Sequence, residues 1–200
     1  MLNGDAPNTM QPGDSVFNGG TGNASLTKEL AAKYDNDVNA IIEDKNGKFW
    51  FGTRGNVRVY DGKYFTVLTH NGDPFTNVRT IIKDKKGNIW LGGKDGLWRY
   101  DGSTFTNFTR NFVGYIYEDK KGNIWTSSQN AINQRWMLSR YAGQSLSDPT
   151  PTVTEIQSKY ENNKGMIFGI QEANDGVMWF GALDGVYRYD GNTITDFKSK

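Results

Sequence analysis

Residues that could perform acid–base or nucleophilic chemistry are few in this sequence. It contains one histidine, His70, which lies in a loop-like run that continues to Pro74. A lone histidine without cysteine argues against a zinc site, and the absence of cysteine removes thiolate chemistry and disulfides. No Gly-x-Ser-x-Gly segment marks a serine nucleophile. The sequence therefore favours a protein without catalytic residues, bound metal or cofactor.

Three aspartates stand at a fixed distance from a glycine and are the next candidates for chemistry. Asp44, Asp84 and Asp119 each lie three residues before a glycine, and Ala173 takes this position in a fourth copy. A carboxylate at that spacing can accept backbone N–H bonds in an Asx-type turn. The segments lack the alternating oxygen ligands and distal glutamate of an EF-hand loop, which disfavours a calcium site. We interpret these aspartates as turn-forming residues.

These turns belong to a segment that occurs four times. Trp50, Trp90, Trp125 and Trp179 mark the copies, at spacings of 40, 35 and 54 residues. Each copy contains four short runs of β-branched and aromatic residues separated by turn signals, which is typical of an antiparallel meander. The repeat predicts an all-β fold, a β-propeller of four four-stranded antiparallel blades. We expect the four tryptophans to be buried between blades and Trp136, beside an insertion, to be more exposed.

The repeat resembles a known family. Its pattern Ile-x-x-Asp-x-x-Gly-Asn-Ile-Trp-x-Gly, followed by a turn, Tyr-Asp-Gly and Phe, is similar to the two-component regulator propeller repeat, over Val38 to Phe197. The resemblance implies a bacterial sensor propeller of hybrid two-component systems or related envelope proteins, and a periplasmic or cell-surface location. The Gly-Asn-Ile-Trp run also resembles streptogramin-lyase-like propellers. That second resemblance implies a lyase, with His70 as the candidate base, as the enzymatic alternative.

Composition limits the partners. The chain has 23 basic and 22 acidic residues, interspersed, and a net charge of +1, which gives no electrostatic basis for binding nucleic acid or an anionic membrane. Its mean hydropathy is −0.67. We find no apolar run that would predict a signal peptide or a transmembrane helix, and we predict no direct membrane insertion.

The chain divides into two parts. Residues 1–37 form an N-terminal arm, and residues 38–200 form the propeller, with repeats at about 38–69, 78–109, 113–158 and 166–198. In the arm, Phe17 and the run Leu26 to Leu30 match the second half of a blade. This predicts an extra strand at Leu26 to Leu30, where the first and last blades meet, or a partial fifth blade. A helical turn over Leu26 to Tyr34 is the alternative. The outer strand of the third copy is predicted at Val153 to Gln157.

The variable joints are the predicted place for a binding site. In a propeller, the joints between second and third strands and the connections between blades share one face, and the two hairpin turns of each blade share the other. Here the hairpin turns are short and uniform, whereas the joints vary, and variable loops on a repeated scaffold often form recognition surfaces. The candidate ligand-binding residues are Arg54, Arg79, Lys94, Asp95, Tyr115, Asn130, Asn133, Arg135, Trp136, Phe168 and Asp184.

We therefore predict a non-catalytic ligand-sensing or protein-interaction module. Its partner would be a small polar ligand, such as a glycan or peptide, or another protein. A propeller lyase or hydrolase acting on a polar substrate at the same face, and a purely structural adaptor, are the alternatives. A solvated loop face without a ligand is equally consistent with the sequence.

Overall fold

The computed structural model describes residues 16–17, 37–130, 132–133, 135–156 and 166–197. Within these ranges the chain is built of antiparallel strands, and a 3₁₀ turn at Gly143–Ser145 is the only helical element. The strands are β1 (Val16–Phe17), β2 (Val38–Glu43), β3 (Phe49–Thr53), β4 (Val57–Tyr60), β5 (Phe65–Val67), β6 (Thr69–His70), β7 (Asp73–Pro74), β8 (Val78–Lys83), β9 (Ile89–Gly93), β10 (Gly96–Tyr100), β11 (Phe105–Thr109), β12 (Phe112–Glu118), β13 (Ile124–Gln129), β14 (Trp136–Tyr141), β15 (Val153–Ile156), β16 (Ile167–Glu172), β17 (Met178–Ala182), β18 (Gly185–Tyr189) and β19 (Ile194–Asp196).

Each repeat folds into one meander sheet. The sheets are β2-β3-β4-β5, β8-β9-β10-β11, β12-β13-β14-β15 and β16-β17-β18-β19, and the first also carries β1 at its outer edge, against β5. The first hairpin turn of each sheet contains a glycine with φ between +77° and +86°, namely Gly47, Gly87, Gly122 or Gly176. A side chain would be strained in that backbone conformation, so glycine fixes where the first strand ends.

The repeat aspartates join each hairpin turn to its tryptophan. Asp119 Oδ1 accepts the backbone N–H groups of Lys121 and Asn123 at 2.9 and 2.8 Å, and Oδ2 accepts the indole N–H of Trp125 at 2.8 Å. The same bonds recur in the first two copies. The predicted Asx turns are confirmed, whereas the indole bond was not predicted. Each aspartate therefore links turn formation to the packing of the sheet.

Successive sheets pack face to face around their innermost strands. Strand β2 contacts β8, β8 contacts β12, and β12 contacts β16. An apolar cluster fills each of the three spaces between sheets. Among the described strands, β16 and β2 do not share such an interface. The four sheets are arranged as in a β-propeller, and their first and last members present outer faces that no described sheet covers.

The burial of each repeat tryptophan depends on whether another sheet covers the sheet that carries it. Trp50, Trp90 and Trp125 are buried, as predicted. The prediction was wrong for Trp179, which is half-buried because it lies on the last of the four faces. Trp136 is also half-buried, so it is more exposed than the first three tryptophans, as expected.

Three local features differ from the sequence expectations or extend them. Every innermost strand carries a β-bulge near its start, which the sequence did not predict. Strands β6 and β7 form an unpredicted hairpin in the first connection between sheets. In the arm, the described strand is Val16–Phe17, whereas the predicted strand Leu26 to Leu30 lies outside the described residues. The predicted outer strand of the third sheet is confirmed at Val153–Ile156.

Candidate binding surface

The joints of the first two sheets are tied together by main-chain hydrogen bonds. The N–H of Arg54 donates to the carbonyl of Asp37 at 3.1 Å, and the N–H of Asn77 donates to the carbonyl of Arg54 at 3.0 Å. The N–H of Lys94 then donates to the carbonyl of Asn77 at 3.3 Å. Asn77 has a φ of +48°, a left-handed conformation that asparagine tolerates better than most residues. These bonds hold the backbones of both joints in fixed positions.

Three of the candidate ligand-binding residues on this fixed backbone are cations, namely Arg54, Arg79 and Lys94. Arg79 occupies the bulge of β8, beside the paired residues Val78 and Gly93, and Lys94 follows at the end of β9. Arg79 and Lys94 have exposed side chains and form no ion pair with any described residue. Arg54 Nη1 lies 3.7 Å from the carboxylate of Asp37, and both side chains are mostly exposed. Such an exposed pair is weak, so all three cations remain available to a ligand.

Four other predicted residues use their side-chain oxygens in hydrogen bonds within the fold. Asp95 Oδ2 accepts the N–H and the hydroxyl of Thr76, at 2.8 and 3.3 Å. Asp184 Oδ1 accepts the hydroxyl of Tyr187 at 2.7 Å. In the insertion of the third sheet, Asn130 Oδ1 accepts the N–H groups of Ile132 and Asn133, and Asn133 Oδ1 accepts the N–H of Arg135 at 3.0 Å. These four side chains shape the joints.

Aromatic surface lies at the third joint. The ring of Trp136 packs edge-to-face on Phe112, with centroids 5.7 Å apart. A Cβ added at Gly114 would lie 3.1 Å from Trp136 and 2.9 Å from Met166, so this glycine gives the indole space over β12. Arg135, just before β14, has an exposed side chain. The third joint therefore offers an apolar wall beside a cation.

Tyr115 of the third sheet and residues of the fourth sheet line a pocket of about 310 Å³. Phe168 is exposed near the start of β16. Besides Tyr115, the residues that line the pocket are Gly169, Ile170, Gln171, Trp179, Phe180, Gly181 and Val186, all in the fourth sheet. The sequence did not identify this pocket, because Trp179 and Gly181 occupy repeat positions that are buried in the other sheets.

The hairpin turns lie on the side of the sheets opposite the joints. Aspartates in these turns accept hydrogen bonds from residues of their own turn. Backbone N–H bonds from Thr104 and Ser103, with their hydroxyls, hold the pKa of Asp101 well below its usual range. Backbone N–H bonds likewise lower the pKa of Asp61 and Asp190. Their role in forming turns accounts for the uniform sequence on this side, and the joints remain the side with variable chemistry.

His70, the candidate base of the enzymatic alternative, packs among aromatic rings. Its ring centroid lies 4.9 Å from that of Trp98 and 5.6 Å from that of Phe105. Its Nε2 is 3.3 Å from the side-chain amide of Asn71. In the described part of the chain, no group of three or more histidine, aspartate or glutamate side chains could hold a metal ion. These contacts give His70 a packing role in the hairpin of β6 and β7.

Fold and joints together define an all-β repeat protein of the propeller class. The sequence pattern of the Two component regulator propeller family matches residues 35–55 and 72–95. These two segments match the repeat that the sequence resembles. No curated protein matches the chain. No helix in the described residues is long and apolar enough to cross a membrane.

Solved structures share the fold. The extracellular domain described for the hybrid two component system BT3049 of B. thetaiotaomicron is similar with a TM-score of 0.62 and 22% identity, over 80% of this chain and 22% of that one. That described for the one component system BT4673 of the same organism has a TM-score of 0.66 and 18% identity, over 82% of this chain and 22% of that one. The chain therefore spans about a fifth of the length of the structures it matches, and likeness at these identities concerns the fold alone.

Proposed function

We propose that the four sheets are blades of a β-propeller and that the chain is a non-catalytic ligand-sensing or protein-interaction module. Its relatives in structure are described as extracellular domains, which supports a periplasmic or cell-surface location in a bacterium. The family repeat supports the sensing role. The ligand is a small polar molecule, a glycan or a peptide, that binds at the joints.

The observation that carries this proposal is the set of cations Arg54, Arg79 and Lys94 on a hydrogen-bonded backbone. A binding surface whose backbone is already ordered loses less conformational entropy when a ligand binds. Exposed guanidinium and ammonium groups donate charge-assisted hydrogen bonds to carboxylates. The chemistry therefore favours glycans with uronic acids, or peptides with acidic side chains, over neutral ligands.

The test is a thermal-shift and calorimetric screen with acidic oligosaccharides and acidic peptides. A ligand that binds only the native state raises the Tm, so at least one probe should raise the Tm of the wild-type protein. In the double variant Arg79→Ala/Lys94→Ala the affinity should fall at least tenfold, because a hydrogen bond to a charged group contributes about 1.5–3 kcal/mol. Added salt should weaken the binding as well.

Lys86→Ala is the matched control. Lys86 is an exposed lysine in a hairpin turn on the opposite side of the second sheet, so its removal changes the net charge without touching the joints. The control should bind the probe like the wild-type protein. A probe that binds the double variant as tightly as the wild type would refute the role of the cations, and so would a screen in which no acidic probe binds.

A further inference from the structure

The first two of the three interfaces between successive sheets share one packing device, and Ser127 takes the place of its glycine in the third. A glycine in the second strand of one sheet leaves space, and an isoleucine from the innermost strand of the next sheet fills it. A Cβ added at Gly52 would lie 3.1 Å from Ile81 Cδ1, and one added at Gly92 would lie 3.0 Å from Ile116 Cδ1. A large side chain at Gly52 or Gly92 would push the next sheet away. The device is directional, because the glycine and the isoleucine lie on opposite faces of each sheet.

The first sheet carries the isoleucine of this device, Ile41, but no described sheet covers it. Ile41 is 58% exposed, whereas Ile81, Ile116 and Ile170 at the same strand position are at most 5% exposed. Its neighbours on the same face are also partly or fully exposed. We call this surface the head face, and its residues are Val38, Ile41, Phe49 and Phe51.

The fourth sheet carries the glycine of this device, Gly181, but no described isoleucine fills the space beside it. Val186 is 48% exposed, whereas Val57, Leu97 and Leu138 at the same strand position are at most 1% exposed. A Cβ added at Gly181 would meet only the carbonyl of Phe168 within 4 Å, and the pocket of about 310 Å³ lies here. We call this surface the tail face, and its residues are Gln171, Trp179, Gly181 and Val186.

A polar contact shows the same pattern. Glu118 Oε2 accepts the backbone N–H of Lys85 from the preceding sheet at 2.9 Å, and Glu172 Oε2 accepts that of Lys120 at 2.6 Å. Glu43 is the equivalent acceptor of the first sheet and is exposed. Asn174 follows Ala173 in the fourth turn, and its N–H is the equivalent donor. Head and tail faces thus carry complementary apolar and polar groups.

We propose that the head face of one copy of this chain binds the tail face of a second copy. Ile41 enters the pocket above Gly181, and Glu43 accepts the backbone N–H of Asn174. The contact combines the glycine–isoleucine packing of the first two interfaces with the carboxylate contact of the last two. It is heterologous, because two different surfaces meet, so each copy can use both surfaces. This assembly does not depend on the ligand proposed above.

Sedimentation velocity of the full chain tests the proposal with two face variants and a control. Ile41→Asp places a charge on the head face, and Gly181→Phe fills the pocket of the tail face. Ile132→Asp is the matched control, because Ile132 is exposed and lies outside both faces. Both substituted face positions are at the surface, and circular dichroism with a melting curve verifies that each variant folds.

The wild-type chain should sediment with at least twice the 22.5 kDa mass of one copy as its concentration rises. Each face variant should lower the association constant more than tenfold, because a buried unpaired charge or a filled pocket opposes packing. Ile132→Asp should associate like the wild type. Mixing the two face variants should restore association, since each supplies the face that the other lacks.

A wild-type chain that stays monomeric up to about 100 µM would overturn the proposal, because association follows mass action. Association that survives both face substitutions, or that fails to return on mixing, would overturn it too. The mixing result separates this head-to-tail contact from a symmetric contact of like surfaces.

Discussion

Removing the carboxylate of Asp119 should cost much more stability than removing that of Asp101, although each carboxylate accepts four hydrogen bonds. Asp119 receives them from Lys121, from the backbone and side chain of Asn123, and from the indole of Trp125. Asp101 receives them from the N–H and hydroxyl groups of two turn residues. Asp119 and Trp125 are buried, whereas Asp101 is exposed.

Burial sets the expected magnitudes. In Asp119→Ala the buried indole N–H loses its acceptor, which costs about 1–3 kcal/mol, and the lost turn bonds add about 1 kcal/mol or more. The expected loss is about 3–4 kcal/mol. In Asp101→Ala the freed donors bind water, so the loss should be about 1 kcal/mol or less. At about 2–4 °C per kcal/mol for a chain of this size, the Tm should fall by about 10 °C and by no more than about 4 °C.

Urea and thermal unfolding of the wild type and both variants measure the difference. The urea slope m should stay the same in all three, because the surface exposed on unfolding does not change. Equal losses in the two variants would refute the conclusion that the buried indole bond decides the cost. A larger loss in Asp101→Ala would refute it more strongly.

Two further predictions concern acid and His70. The folded state lowers the pKa of Asp44, Asp101 and Asp119, so their stabilisation is present above an unfolded pKa of about 3.9 and is lost as the pH falls through the folded values. Burial raises the pKa of Glu118, which partly opposes this loss of stability. The Tm should therefore decrease once the pH is lower than about 4. A Tm that stays constant from about pH 7 to about pH 3 would contradict this prediction. His70→Ala should lower the Tm by about 2–4 °C, through the loss of about 1 kcal/mol of aromatic contact. Ligand affinity and any turnover should be unchanged, whereas a loss of turnover alone would favour the lyase alternative.

The repeat unit could be predicted from sequence because its determinants are local. Asp119, Gly122 and Trp125 lie within seven residues and make one turn with one buried ring. Left-handed glycine and the Asx turn act over the same short range. Local rules therefore located the strands of all four sheets, including the displaced outer strand of the third.

Burial of equivalent residues could not be predicted in the same way. Trp50 and Trp179 have nearly the same neighbours in sequence, yet the first is buried and the second is half-buried. The difference comes from the sheet that covers one ring and not the other. No local pattern reports that contact, because the covering residues lie in a different repeat.

The candidate site was predicted only as a region. Aspartate and asparagine in a joint can contact a ligand or can accept hydrogen bonds from their own loop, and the sequence does not distinguish the two. Asp95 and Asn130 proved to bond within the fold, whereas Arg79 and Lys94 extend from it. Lysine and arginine cannot accept the N–H bonds that shape such loops, so the two cations stay candidates for contact with a ligand.

The first interface between sheets shows how the fold compensates for a change in the repeat. Lys83 stands where the later sheets have Glu118 and Glu172, so the carboxylate contact of the later interfaces has no counterpart here. An aromatic cluster packs at this interface instead: the ring centroids of Trp98 and Phe105 lie 5.4 and 5.1 Å from that of Phe75. Buried aromatic area contributes more to stability than one partly exposed hydrogen bond. The extra hairpin of β6 and β7 brings His70 onto the same cluster, so a connection between sheets strengthens the interface that lacks the glutamate.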